Sequence, residues 1–338
     1  MARLISGLAL LGALVVGLSA PAMADETEIS FKLATVAPSR TPWADLLSRY
    51  KKKVAAAVGE KVKVRVFLNG IKGDEQSSVR QVFKGTLQGA GVSTGALATL
   101  VPELSVLELP FLFDDYTEAD RILDGPARPI IEKLLEAKGF KLLMWSENGY
   151  RSFGSTKGFI RTPADLDKVK MRSQENEVHL MTWRALGASP VPISVGEVQS
   201  ALQTGVVLGF DNTPLFTQAA GWNQQIAYFS VSRHIYQPAA VVVNKAWFDG
   251  LPADVQAALL APAAELQDKG RKAVRALDPL LIKNFSVGDN KVEVYELTEA
   301  ERDAFRQQTR GVWDEFRKST SDDGRALLDM ILAAKAKK

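Results

Sequence analysis

Residues 28–68, EISFKLATVAPSRTPWADLLSRYKKKVAAAVGEKVKVRVFL, decide the fold. Glu28–Val36 alternates polar and apolar residues, the period of a half-buried strand. Thr41 and Pro42 follow as an N-cap and a first-turn proline, the signature of a helix start. Trp43, Leu46, Leu47, Tyr50, Val54 and Ala57 then recur on one helical face, and Gly59 ends the run. Lys51, Lys52 and Lys53 fall beside this face and read as its solvated side. Val62–Leu68 alternates again. Strand, helix and strand within forty residues make a βαβ unit, which predicts an α/β protein.

The pattern continues outward. Asp74–Gly85 is amphipathic with acidic residues in its first turn, and Gly89–Thr94 is a short small-residue strand. Val106–Phe113 is an apolar run in which Pro110 forbids a central strand position. Tyr116–Lys138 reads as two helices split by Gly125-Pro126. Phe140–Ser146, Arg151–Ser155, Lys168–Arg172, Val206–Phe210, Ile226–Ser232, Ala239–Asn244 and Val292–Leu297 read as strands. Helices are expected over Glu175–Leu186 and from Thr213 onward. Another is expected over Ser194–Gly205, opened by a Ser194/Glu197 capping box. Leu251–Phe285 is helical with breaks at Pro262 and Pro279, and Glu299 to the end is helical. This alternation predicts layered α/β architecture with largely parallel sheets. No linker interrupts it, so two lobes would be joined through ordered strands or helices.

Composition narrows the function. Of 338 residues, 46% are hydrophobic and 24% charged, as expected of a packed protein. Lys and Arg number 42 against 39 Asp and Glu, and the resulting +3 is too small for a nucleic-acid binder. The absence of cysteine excludes disulfides, thiolate metal sites, a cysteine nucleophile and lipid attachment through a lipobox. With His179 and His234 as the two histidines, a multi-histidine metal site is not expected, and no cofactor is called for. Residues 1–24, MARLISGLALLGALVVGLSAPAMA, have a basic start, a short apolar stretch and an Ala-Met-Ala cleavage pattern. They read as a secretory signal peptide, with the mature protein exported to the periplasm.

Several segments together resemble the solute-binding proteins of tripartite ATP-independent periplasmic (TRAP) transporters, of the dicarboxylate-binding type. They are LATVAPSRTPWADLL, the block GTLQGAGVSTGALATLVPELSVLELPFLFDDYTEA at Gly85–Ala119, ENGYRSFGSTK at Glu147–Lys157 and TPADLDKVKMRS at Thr162–Ser173. ALGASPVPISVGEVQSALQTGVVLGFDNTPL at Ala185–Leu215 and VVVNKAWFDGLPADVQ at Val241–Gln256 complete the set. The resemblance implies a two-lobed periplasmic binding protein with a ligand cleft between the lobes, hinge strands and a long lobe-spanning helix. Residues 25–147, with about 237–270, would form lobe I; residues 148–236, with about 271–338, would form lobe II. The hinge is expected near Trp145–Gly149 and Arg233–Ala239. The implied activity is capture of a small organic acid and delivery to the small and large membrane subunits of a transporter, by a protein acting as a monomer and not as an enzyme.

The same resemblance nominates site residues. Arg172, in Lys170-Met171-Arg172, matches the arginine that grips the ligand carboxylate; its planar fork can give two parallel N–H bonds to one carboxylate. Asn212 matches an asparagine able to donate to a carboxylate and accept from a hydroxyl, or it caps the next helix. Arg151 matches a second pocket arginine. The first lobe would add the Ser39-Arg40-Thr41 loop, Asp74-Glu75 and Ser93-Thr94, with Phe210, Phe113 and Trp145 as possible walls or core. Departures from the usual D-G-x-E-N-P pattern are Leu208, Asp211 and the inserted Thr213, and Ser173 follows Arg172 where Val-Pro is common. They leave the clamp and open the door to an acid larger or more apolar than succinate. Rival readings are an exported enzyme, for which no G-x-S-x-G elbow, metal cluster or phosphate loop speaks, and a periplasmic binding module for a more apolar or larger ligand, feeding a sensor or another membrane assembly.

Overall fold

The opening βαβ unit forms as its pattern demands. In the computed structural model, which describes residues 28–287 and 291–337, β1 (Ile29–Ala34) and β2 (Val62–Phe67) pair in parallel across the helix Pro42–Val58. The expected signal segment, residues 1–24, lies outside the described residues. Thr41 caps the helix by accepting from the Ala44 amide. Trp43, Leu46, Leu47, Tyr50 and Val54 are buried, whereas Ala57 and the three lysines are exposed. Lys53 meets Glu265 at 2.9 Å, a half-exposed pair of the kind that contributes roughly 0–1 kcal/mol.

The remaining strands are β3 (Gly89–Ser93), β4 (Phe140–Ser155), β5 (Lys170–Ser173), β6 (Ser189–Pro192), β7 (Gly209–Asn212), β8 (Tyr228–Asn244) and β9 (Glu293–Glu296). They join in one sheet of order β2-β1-β3-β8-β4-β7-β5-β6, with β9 beside β8. The sheet is mixed, not largely parallel: β3–β8, β8–β4 and β4–β7 are antiparallel. The physical reason is the pair of long strands. Phe140–Ser146 and Arg151–Ser155, expected as separate strands, are one strand of 16 residues, and Ile226–Ser232 and Ala239–Asn244 lie within or beside another of 17. Each leads the chain from one lobe to the other in opposite directions, so they pair antiparallel along their length. Their ladder is interrupted by register shifts at Leu142/Met144, Glu147/Gly149 and Arg151/Phe153 and not ended by them. Gly149, at φ +100°, takes the backbone conformation such a shift needs.

Each half of the sheet carries apolar layers on its two faces. Phe31, Leu47, Val241 and Leu266 lie in one cluster, and Leu107, Leu135, Val242 and Leu328 in another, about the β1-β3-β8 half. Phe210, Trp222, Phe229 and Phe285, and separately Phe153, Met171, Trp183 and Phe305, pack about the β7-β5 half. The architecture is therefore two-lobed α/β, with long strands passing between the lobes. The 23-residue helix Ala263–Phe285 contacts Pro42–Val58 and β4 as well as the short helix Pro214–Ala219 and β9, so it spans both halves. Pro262 separates it from Ala253–Leu260, as expected, but Pro279 lies inside it.

Smaller departures follow local chemistry. The apolar run Val106–Phe113 begins in a 3-10 turn, Pro102–Glu108, and joins no strand, as Pro110 requires. Ser194–Gly205 divides into a 3-10 turn, Val195–Glu197, and the helix Val198–Gln203. Ser194 spends its hydroxyl on the Glu197 carboxylate at 2.9 Å and caps no amide. The Pro-rich edge strand β6 carries no strand signal, because Ser-Pro-Val-Pro has the pattern of a loop; pairing with β5 alone lets its prolines stand without breaking a ladder.

Candidate ligand-binding site

Strand ends deliver the polar side chains to a cleft between the lobes. It is lined by Thr35, Trp43 and Glu75 from one side and Arg172, Gln174 and Asn212 from the other, with Asn148 and Gln237 on the crossing strands. Arg172 reaches it by strand alternation. Met171 points into the core with Phe153 and Trp183, so its neighbour Arg172 emerges on the opposite face.

Arg172 is 2% exposed and has no carboxylate partner among the described residues. Its Nε donates to the Ile193 carbonyl at 2.9 Å, and the guanidinium lies 5.3 Å from the Trp222 ring centroid. The two terminal nitrogens carry no hydrogen bond to the described residues. Burial, and then the nearby charge of Arg151, lower the guanidinium to about 10, so it stays ionised at neutral pH. A buried, ionised group with two donors unspent is complementary to an anion.

Arg151 lines the same cleft but is already committed. Its Nε donates to Asp211 at 2.6 Å, and Nη1 donates to Gln237 at 3.0 Å and to Gln174 at 3.4 Å. Burial opposes its charge, yet the Asp211 carboxylate holds its pKa above the usual value. Burial would likewise raise Asp211, but the Arg151 charge and the neighbouring His234 hold it well below the usual carboxylate range. His234 lies 3.4 Å from Asp211, and His179 reaches Glu108 at 2.6 Å. Both histidines thus serve the buried acids behind the cleft, a role no sequence spacing announced.

Glu75 also faces the cleft. Asp74 caps its helix by accepting from Ser77 at 2.6 Å, which sets Glu75 at the first helical position. The Glu75 carboxylate accepts from the Ser93 amide at 2.7 Å and from the Ser93 hydroxyl at 2.8 Å. Burial raises its pKa, against which the Ser93 bonds work. Asn212 lines the cleft with its amide nitrogen unbonded to described residues, while its oxygen accepts from the Thr213 amide at 2.8 Å. Thr213, not Asn212, caps the helix Pro214–Ala219.

Four expected contacts lie elsewhere. Ser39 and Arg40 are exposed and border a separate surface hollow with Leu215, Gln218 and Leu277; the backbone of Ser39 is turned toward Asn69, to which it donates at 2.9 Å. Thr94 is buried behind the cleft, where its hydroxyl donates to Glu108 at 2.7 Å. Phe210 shares a sheet face with Asn212 but sits two residues deeper, 5.0 Å from the Trp222 ring, and packs as floor in the core. Phe113 and Trp145 are core as well. Gln174 and Gln237 line the cleft without being among the expected residues. Gln174 carried a signal: two residues beyond Arg172 in an extended segment, it falls on the same face. Gln237 carried none, because the β4–β8 pairing alone brings it to Arg151.

Contacts also cross the cleft. Gln174 donates to the Ser93 hydroxyl at 3.1 Å, and Gln76 to the Glu175 carbonyl at 2.9 Å. Trp43 donates to Asn148 at 3.1 Å.

Two α/β lobes, linked by long strands and enclosing a polar cleft with an uncommitted guanidinium, define a binding protein for a soluble small molecule. The model of the bacterial extracellular solute-binding proteins, family 7 (DctP), matches residues 33–319, and the chain belongs to that family. The C4-dicarboxylate-binding periplasmic protein DctP of Rhodobacter capsulatus is 31% identical over 317 residues, 93% of each chain. The sugar acid binding protein of Advenella mimigardefordensis in complex with galactonate superposes with a TM-score of 0.85 at 28% identity, covering 91% of this chain and 99% of that one. A TRAP periplasmic solute-binding protein of Sulfurospirillum deleyianum with bound succinate gives a TM-score of 0.85 at 25% identity, covering 91% and 99%.

Proposed function

We propose that this protein captures a small organic acid by its carboxylate at Arg172 and hands it to the membrane subunits of a TRAP-type secondary transporter. The observation that carries the reading is the buried guanidinium with two unspent donors facing a polar cleft. Charge-assisted bonds to a carboxylate are worth about 1.5–3 kcal/mol each. Asn212 and Gln174 would orient the ligand, and Glu75 would meet it from the opposite lobe. Arg151 acts through its neighbours: bound to Asp211, it fixes the strand end that presents Asn212. The family's transport role supports a binding protein without catalytic activity, working as a monomer. The sequence of residues 1–24 supports export to the periplasm with cleavage after Ala24.

Ligand binding would begin on the lobe holding Arg172, and closure of the other lobe would strengthen the same bonds by excluding water. The lobes we assign are 28–147 with 237–270, and 148–236 with 271–319. The packing of the helix Asp322–Lys335 on Pro102–Glu108 and on the helix Tyr116–Asp124 supports giving that helix to the first lobe, a change from the expected 271–338. The direct test is calorimetry against a panel of organic acids. Arg172→Ala should weaken the cognate acid by at least about tenfold while thermal unfolding stays cooperative. Unchanged affinity would remove Arg172 from the clamp.

A further inference from the structure

The charges around the cleft specify what the far end of the ligand carries. Arg151 is spent on Asp211, and Glu108 is spent on Thr94, His179 and Gln237. Among the described residues that line the cleft, one cation, Arg172, and one acid, Glu75, are left to face an incoming solute. Glu75 is fixed in place by its two bonds from Ser93, and it has no ion-pair partner among the described residues. Both of its oxygens accept from Ser93, and bonds of that kind favour the ionised carboxylate. The two groups border the same cavity from opposite lobes, so an acid held by Arg172 extends toward Glu75.

Two ligand types answer this geometry differently. A hydroxyl at the far end donates to Glu75 and satisfies it. A second carboxylate brings like charge against Glu75 in a water-poor space, with no uncommitted cation to neutralise it. We propose, resting on the Arg172 reading above, that Glu75 makes this cleft selective for hydroxylated monocarboxylates and turns away dicarboxylates of the same length. Selectivity of this kind works by a built-in repulsion as much as by attraction. Other lining residues agree: Thr35, Asn148, Gln174 and Asn212 offer hydroxyl and amide partners to a polyhydroxylated chain, and Trp43 offers a flat apolar face.

Matched acids test this. D-gluconate and D-glucarate, and D-galactonate and galactarate, differ by a terminal CH2OH against a carboxylate; succinate adds a short diacid. By calorimetry at pH 7.5, a monocarboxylate of the panel should bind at least about tenfold more tightly than its diacid and than succinate. Glu75→Gln keeps an acceptor and a donor for Ser93 and removes the charge, so the ratio should shrink by about tenfold through tighter diacid binding. A wild-type protein that binds a diacid as tightly as its monocarboxylate overturns the proposal, as does a folded Glu75→Gln protein with the wild-type ratio. If Glu75→Gln does not fold, the wild-type ratios decide alone. Failure of the carboxylate clamp itself shows up separately, as binding by none of these acids or as full binding by Arg172→Ala, and overturns both readings.

Discussion

A guanidinium taken out of water without a carboxylate carries a desolvation penalty of several kcal/mol, which the fold must offset elsewhere. Arg172 bears that penalty with one carbonyl and one indole ring for company. Arg151, which lines the same cleft, shows the opposite solution, a tight pair with Asp211. The contrast predicts different outcomes on mutation. Removing Asp211 strands Arg151, so Asp211→Asn should lower stability by about 3–5 kcal/mol in urea unfolding. A loss below about 1 kcal/mol would mean that other groups carry Arg151. Acid should act through the same residues. Asp211 is held below its unfolded value, so its contribution is present above about pH 4 and is lost as pH falls further. Burial lowers His234, which is neutral in the fold; its contribution is complete above about pH 6.5 and is lost as pH falls through its lowered pKa.

Among the elements, the two long strands and the helix Ala263–Phe285 meet at the crossing point. Gly149 lies where β4 shifts register, and a Cβ there would come 3.6 Å from the Asp278 carboxylate on the helix. Asp278 accepts from the Tyr116 hydroxyl at 3.0 Å, and its other oxygen is buried without a partner among the described residues. Burial raises it to about 6, helped by the Glu147 charge and opposed by the Tyr116 bond. A raised carboxyl binds its proton more tightly in the folded chain. Its contribution is therefore present below about pH 4 and lost as pH rises through about 6. Roughly two pKa units correspond to about 3 kcal/mol at neutral pH. Asp278→Asn, which carries no charge to desolvate, should raise the melting temperature at pH 7.5 by several degrees and hardly change it at pH 4. Equal effects at both pH values would show that the carboxyl's ionisation is not what limits stability there.

On the scale of the whole molecule, one apolar cluster runs between the lobes, holding Val178 and Met181 with Ala96 and Leu97, and at the cleft the lobes touch through polar contacts such as Gln174 to Ser93 and Gln76 to Glu175. Such contacts are individually worth about 1 kcal/mol, little enough for a bound acid to tip the balance between open and closed states. Small-angle X-ray scattering should therefore show a smaller radius of gyration with saturating ligand than without. Identical profiles would argue for a cleft that does not move.

The chain's local code settled a good part of this. Period-two and period-three-to-four patterns located most strands and helices, Thr41-Pro42 opened the helix where expected, and the family motifs pointed to Arg172 and Glu75, which do border the cleft. These features are readable because they depend on neighbours within a few residues. Tertiary pairing alone decided that two pairs of short runs become two continuous crossing strands and that the sheet is mixed. It also decided that Arg151 belongs to Asp211, that Phe210 and Thr94 turn inward, and that Gln237 arrives beside Arg151. The partners of Arg151 lie 60 and 86 positions away, and a one-dimensional string of residues does not state which of its charges will meet in the absence of water.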